Sequence, residues 1–191
     1  MNISPNFGHS RRYSHPFRHA WIPNLFPKTA IDGALEWLEN NRSWQFTETG
    51  FYRQFEFSLK EINVPNELAF LVDENTLSGM HCWFRTEFVA QEIESVDVVA
   101  HLLLSGHDIG IHNDYRPDGE THRLILQLGR DVNGGITALF RNKEVTSLFR
   151  LIHPIHGTAF AFEISEASYH AVSKVRGGQR FSLIYSFRSR Q

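Results

Sequence analysis

Two textures of hydrophobic and polar positions divide the chain. Between Pro27 and Asn41 the apolar residues Ile31, Ala34, Leu35 and Leu38 recur at helical spacing, which predicts a helix with one face on a core. Thr29 stands where an N-cap would, with Asp32 three residues on to favour the helix N-terminus. Two more helical stretches are predicted, one from about Asn66 after Pro65 through Phe70 and Leu71, the other around Met80 to Phe88. From Val96 onward, short β-branched and aromatic runs alternate with turn residues roughly every 8 to 12 positions, the signal of an all-β sandwich or barrel. Strands are predicted over 96–104, 109–113, 122–128, 135–140, 145–152, 158–163, 168–173 and 180–187, with Gly134-Gly135 and Gly177-Gly178 as turns. These strands behind a helical layer predict a mainly β fold with helical support, a cupin-like jelly roll or double-stranded β-helix packed against N-terminal helices. The expected organisation is one domain over 1–191, with an aperiodic arm over 1–20, helical support over 21–95 and the jelly-roll catalytic core over 96–191.

The chemistry lies in the second texture. His112 and Asp114 flank Asn113 at the end of an apolar run, and alternation along a strand points the pair to one face. His170 ends a second apolar segment and can supply a third ligand. Two imidazoles and one carboxylate on one face of an octahedral ion leave three positions open, as non-haem iron(II) oxygenases require. An H-x-D triplet alone is common, and a lone strand histidine is more often a hydrogen-bonded core residue. The downstream series His170, Gly177-Gly178, Arg180 and Ser182 adds weight, read as one hairpin with the arginine leading an apolar strand. Arg180 and Ser182 alternate with Phe181 and Leu183, so the polar pair faces the barrel interior. A buried guanidinium needs an anion, since leaving a buried charge unpaired costs about 3 to 5 kcal/mol. The partner is either a protein carboxylate or a ligand carboxylate gripped by the guanidinium fork. On the strand Arg123 to Leu128, Leu124, Leu126 and Leu128 share one face, and Arg123, Ile125 and Gln127 the other, toward the site.

Taken in order, these residues resemble the 2-oxoglutarate and iron(II)-dependent oxygenase superfamily, in its prolyl 4-hydroxylase-like branch. The resemblance runs from about Val98 to Phe187, roughly half of the chain. It rests on His112 and Asp114, on Gly134-Gly135 entering a strand to Phe140, on the strand Gly157 to Phe162, and on His170, Arg180 and Ser182. It implies that His112, Asp114 and His170 hold iron(II), and that Arg180 anchors the distal carboxylate of 2-oxoglutarate with Ser182 beside it. Arg123 is a further co-substrate candidate, because the aspartyl/asparaginyl hydroxylase branch uses an arginine from such a strand. Iron(II), 2-oxoglutarate and dioxygen are the implied cofactors, with ascorbate as a supporting reductant. The implied reaction is hydroxylation of an amino acid, peptide or small metabolite with conversion of 2-oxoglutarate to succinate. With Asp114 at the carboxylate position, no gap is left for a halide. The sequence departs from the branch at Leu103, where a tyrosine is usual.

Composition narrows the classes further. Lysine plus arginine number 19 against 21 aspartates and glutamates, so no long-range field is available to hold nucleic acid or an anionic membrane. No apolar run reaches the roughly 20 residues of a membrane span, and the N-terminal residues lack the apolar core of a signal peptide. The single Cys82 excludes an internal disulfide and a thiolate metal site, which fits a cytoplasmic protein. Eleven histidines are present. His101, His107, His122, His153 and His156 form no alternate-residue pair with a carboxylate in a strand and are read as bystanders. Two rival functions remain, a cupin-like metal enzyme of another class and a non-catalytic jelly-roll binding module. A hydrolase has no use for the Arg180 and Ser182 anchor, and a binding module has none for the triad.

Overall fold

The computed structural model describes residues 3–189; positions 1 and 2 of the expected arm and 190 and 191 of the expected core lie outside them. In chain order the elements are β1 (Arg11–Tyr13), β2 (His19–Ile22), α1 (Lys28–Asn40), β3 (Gln45–Glu48), β4 (Arg53–Ser58), α2 (Glu74–Glu87) and β5 (Ile93–Leu103). Then follow β6 (Ile109–His112), β7 (His122–Leu128), β8 (Thr137–Phe140), β9 (Leu148–Ile152), β10 (Ala159–Glu163), β11 (His170–Val172) and β12 (Arg180–Ser189). An eight-stranded sheet has the order β1-β2-β10-β7-β12-β5-β4-β3, and a four-stranded sheet the order β6-β11-β8-β9. Neighbouring strands in both sheets pair antiparallel. The fold is mainly β and jelly-roll-like.

Alternation along the central strands divides the large sheet into two faces. Leu124, Leu126 and Leu128 of β7 and Phe181, Leu183, Tyr185 and Phe187 of β12 join one cluster with Ile31, Ala34, Leu35 and Leu38 of α1 and Met80, Trp83 and Phe84 of α2. The opposite face contributes Ile125, Phe160, Phe162 and Ile184 to a second cluster with Leu139 and Ile152 of the small sheet. Helices therefore cover one side of the large sheet, and the small sheet covers the other. Full burial of one such side chain contributes about 1.5 to 3 kcal/mol.

Several expectations are corrected. Helix α1 starts at Lys28 under Pro27, whose carbonyl accepts from Ala30 and Ile31, so Thr29 lies inside the first turn and caps nothing. Helix α2 starts at Glu74, earlier than the apolar run suggests, because Asp73 accepts from the Thr76 N–H at 2.7 Å and closes its first turn. The stretch Asn66–Leu71 is a 3-10 helix. The two regions before residue 96 are not purely an arm and a helical layer, since β1 and β2 form one edge of the large sheet and β3 and β4 the other. β1 to β3 span only three or four residues each, too few to display a period of two. Finally, His170 and Arg180 do not share a hairpin. β11 pairs with β6 and β8 in the small sheet, while β12 pairs with β5 and β7 in the large one, so the chain crosses between sheets there.

That crossing is pinned by two glycine-bearing loops. Asn133 donates its N–H to the Gly177 carbonyl at 2.9 Å and accepts from the Arg176 N–H at 2.7 Å. Gly134 has φ +80, and a Cβ there would stand 2.2 Å from the Lys174 carbonyl oxygen. Only a residue without a side chain permits this approach. Gly134→Ala is expected to destabilise the fold by about 2 to 3 kcal/mol. Gly50→Ala, at a position open on all sides, should stay within about 0.5 kcal/mol. Urea denaturation of both variants tests this, and equal midpoints would show that the loop contact carries no strain.

Candidate functional site

Between the sheets lies a cavity of about 270 Å³ into which both sheets send polar side chains. His112 ends β6 and His170 starts β11, and the two are register partners with ring centroids 4.2 Å apart. Strand pairing thus sets the imidazoles side by side. Asp114 arrives differently from the alternation expected of it. The strand stops at His112, and Asp114 adopts the left-handed conformation, φ +59. A turn rather than a pleat brings its carboxylate between the rings. Asn113 fixes that turn, donating to the Glu166 carbonyl at 3.0 Å, while its own carbonyl accepts from the Ser168 hydroxyl at 2.8 Å.

The cluster has the geometry of a facial ligand set. Asp114 Oδ1 is 3.4 Å from His112 Nε2, and Asp114 Oδ2 is 3.3 Å from His170 Nε2. One ligand atom from each of the three residues can be chosen within 4.8 Å of the others. Two bonds of about 2.1 Å at right angles put adjacent ligand atoms about 3 Å apart, so a small contraction would seat an ion. The far ring nitrogens are already engaged: His112 Nδ1 is 2.9 Å from the Gly110 carbonyl and His170 Nδ1 is 2.8 Å from the Ser168 carbonyl. A carbonyl can only accept, so each Nδ1 carries a proton, and each Nε2 is the ring nitrogen turned to the carboxylate, the atom that would take a metal. Two nitrogens, one carboxylate and open positions suit a first-row divalent ion such as iron(II).

Arg123, expected as a co-substrate contact, lines the cavity but faces two protein carboxylates. Its Nη1 donates to Asp114 Oδ2 at 2.6 Å, and its Nη2 to Glu120. Burial opposes its charge, but the Asp114 and Glu120 carboxylates more than reverse this and raise its pKa. Burial likewise opposes ionisation of Asp114, yet Arg123 and then the two imidazoles hold its carboxyl well below the usual carboxylate range. The guanidinium is engaged with two protein carboxylates.

Arg180 is the opposite case. It is 3% exposed, and its one side-chain polar contact among the described residues is Nη1 to the Ser182 hydroxyl at 3.5 Å, the limit of a hydrogen bond. Its Nε has no partner, and among the described residues it forms no ion pair. Burial lowers its pKa to about 10, so it remains a cation at neutral pH. Gly135 makes room for it: at φ +61, a Cβ there would meet Arg180 Cδ at 2.6 Å. Arg180 and Ser182 line the same cavity as the triad, with Thr137, Ile125, Val172 and Ile184. An interior cation without an anion, in a cavity that also holds a possible metal cluster, fits an anionic ligand such as a carboxylate.

Sequence reasoning missed one wall. Tyr52, Gln54 and Glu56 alternate with Arg53, Phe55 and Phe57 and line the cavity, as does His101 of β5. The signal was present in the polar and aromatic alternation of Arg53–Ser58. His101, expected as a bystander, is part of that lining; burial first, then Arg123 and Arg180, push its pKa down to about 3. The other histidines stand apart. His107 stacks on Phe55, His122 packs against Phe84 and Phe88, and His156 meets Asp32 at 3.1 Å. Leu103 is fully buried against Val172 and Val175, so no hydroxyl replaces the usual tyrosine there. Gln127 pairs in register with Ser182, and both its side-chain polar atoms are buried without partners.

No protein-family model matches this sequence, and no curated protein matches it. Similarity appears at the level of structure. An oxidoreductase of the 2OG-Fe(II) oxygenase family from Burkholderia pseudomallei superposes with a TM-score of 0.66 at 19% identity, covering 89% of this chain and 84% of that one. A Pseudomonas putida prolyl-4-hydroxylase gives 0.69 at 14% identity over 91% and 93% of the two chains. A Trichoplax adhaerens prolyl hydroxylase, in complex with a hypoxia inducible factor oxygen degradation domain peptide fragment, gives 0.73 at 13% identity over 88% and 83%. Over about nine-tenths of its length, this chain therefore has the fold of the 2OG-Fe(II) oxygenases and prolyl hydroxylases.

Proposed function

We propose that this protein is an iron(II)- and 2-oxoglutarate-dependent oxygenase that hydroxylates an amino acid, peptide or small metabolite. The observation that carries this reading is Arg180, a buried guanidinium that pairs with no carboxylate of the described residues and lines the cavity of the His112, Asp114 and His170 cluster. A metal hydrolase gives that cation no task, whereas a dicarboxylic keto acid needs one anchor at the metal and one away from it. In this reading His112, Asp114 and His170 hold the ion. Arg180 grips the distal carboxylate of 2-oxoglutarate through its fork, and the Ser182 hydroxyl adds a donor. Arg123 fixes the ligand carboxylate, and the two backbone carbonyls behind the imidazoles fix their tautomers. Iron(II) with 2-oxoglutarate and dioxygen, when bound, supplies the oxidising chemistry, with succinate and carbon dioxide as co-products. The chain supplies orientation, with Ile125, Val172 and Ile184 set among the polar side chains of the cavity wall. The Trichoplax protein's peptide complex supports a peptide among the possible substrates. Formation of succinate from 2-oxoglutarate, dependent on iron(II), tests the reading as a whole.

Two sets of variants test its parts. Losing charge-assisted bonds worth about 1.5 to 3 kcal/mol each, Arg180→Met should raise the 2-oxoglutarate dissociation constant at least about tenfold. Metal affinity without co-substrate should change little. Arg180→Lys should rescue in part, as a point charge without the fork. Because the unpaired cation destabilises the ligand-free protein, Arg180→Met should also melt higher than the parent. A lower melting temperature with an unchanged 2-oxoglutarate curve would refute the assignment.

For the metal, His112→Ala or His170→Ala should abolish binding of iron(II) or manganese(II) while leaving the circular dichroism of the fold intact. Arg123→Met should weaken that binding about 10- to 100-fold, since Asp114 loses the group that orients it, with Arg123→Lys intermediate. Titrations under anaerobic conditions decide it; parental affinity in either histidine variant removes that residue from the ligand set.

A further inference from the structure

The cavity wall opposite in charge to Arg180 has no assigned task. Glu56 accepts from the Thr47 hydroxyl at 2.9 Å and from the Gln54 amide. Its nearest basic group is His101 Nε2 at 3.7 Å, too long for a hydrogen bond. Among the described residues no lysine or arginine lies within ion-pair distance of it. Gln54, 3% exposed, donates its Nε2 toward Glu56, while its Oε1 is buried and accepts from nothing. Glu56 and Gln54 thus both line the cavity of the triad, Glu56 with a carboxylate that no cation neutralises and Gln54 with a carbonyl that no donor reaches.

Charge accounting within the cavity isolates Glu56. Asp114 is paired with Arg123, and Arg180 is reserved for an anion. Arg116 also reaches the cavity but is exposed and makes no ion pair among the described residues, so water and counter-ions screen it. A neutral donor such as a hydroxyl could satisfy Gln54 Oε1, yet it would leave the Glu56 charge uncompensated. A cation that donates several hydrogen bonds satisfies both. Two rings share the cavity: Phe51 and Tyr52 line it with centroids 5.0 Å apart, and Phe51 lies 5.1 Å from His112. Aromatic faces attract cations and do not attract anions.

We propose that Glu56 and Gln54 form a cation-binding subsite, and that the substrate carries an ammonium group which this wall holds while the rest of the molecule reaches toward the triad. The proposal rests on the oxygenase reading for the word substrate; the subsite itself does not depend on it. Ligand-observed NMR on the full chain, loaded with manganese(II) and 2-oxoglutarate, compares n-butylammonium chloride with n-butanol at matched ionic strength. The ammonium should bind at least about tenfold more tightly than the alcohol. Glu56→Gln should bring the ratio within about twofold, and Gln54→Met should weaken the ammonium several-fold. Glu61→Gln, on the exposed surface, should leave the ratio as in the parent and so control for bulk charge. Equal affinity for the two probes in the parent, or a preference that survives Glu56→Gln, overturns the subsite. The same samples titrated with 2-oxoglutarate separate the two readings: a charge preference without 2-oxoglutarate binding sinks the oxygenase and spares the subsite, and the reverse sinks the subsite alone.

Discussion

A guanidinium held inside a protein without an anion is costly, and much of the architecture around the cavity serves to keep Arg180 in that position. It begins β12, the strand that pairs along ten positions with β5 and along seven with β7, so its backbone cannot drift. Gly135 gives up a side chain so that the arginine stem can pass, and Gly134 lets the loop before β8 dock on the loop that leads into β12. Each feature costs the ligand-free fold something: a desolvated charge, left-handed backbone, glycine entropy. Such costs persist at sites where a ligand repays them on binding. They are otherwise hard to reconcile with a helix-backed sheet whose apolar face is so completely filled.

Where the chain's physics is local and periodic, the sequence could be read closely. The four apolar residues that define α1 on paper are the four that are buried, and β7 and β10 fall within a residue of the runs that suggested them. The gathering of His112, Asp114 and His170 in one cavity with Arg180 was also legible, because residue type, order and spacing carry it. What periodicity could not convey was how the chain travels between sheets. A two-glycine segment between His170 and Arg180 looks like a hairpin turn, and nothing in the residues says that the strands it joins pair with different partners. Asp114 was placed beside His112 for the wrong reason: the left-handed turn that brings it there is invisible to an alternation rule. The short strands at the sheet edges owe their existence to neighbours distant in sequence. β4, in contrast, showed its alternation plainly and was overlooked because the chemistry seemed concentrated after residue 96.

Arg123 and Arg180 show where a periodicity argument stops. Both occupy inward positions on adjacent strands of one sheet, both are enclosed, and both looked like co-substrate contacts. Their neighbours separate them. Arg123 has Asp114 and Glu120 at hydrogen-bond distance and is satisfied within the protein; Arg180 has a hydroxyl at the limit of contact. A satisfied guanidinium can orient a ligand residue, but binding a carboxylate from outside would require it to break an existing pair, and Coulomb attraction to the newcomer is offset by the loss of the old partner. Only the unpaired one gains from binding. Applied to acids, the same reasoning distinguishes Asp114 from Glu56, one paired to Arg123 and the other surrounded by neutral donors. A cavity with a buried unpaired cation and an unpaired anion on different elements is matched by two different molecules or by two ends of one. On the proposed oxygenase reading the match is two molecules, since a co-substrate fixed at Arg180 would leave the β4 wall free to select what is oxidised.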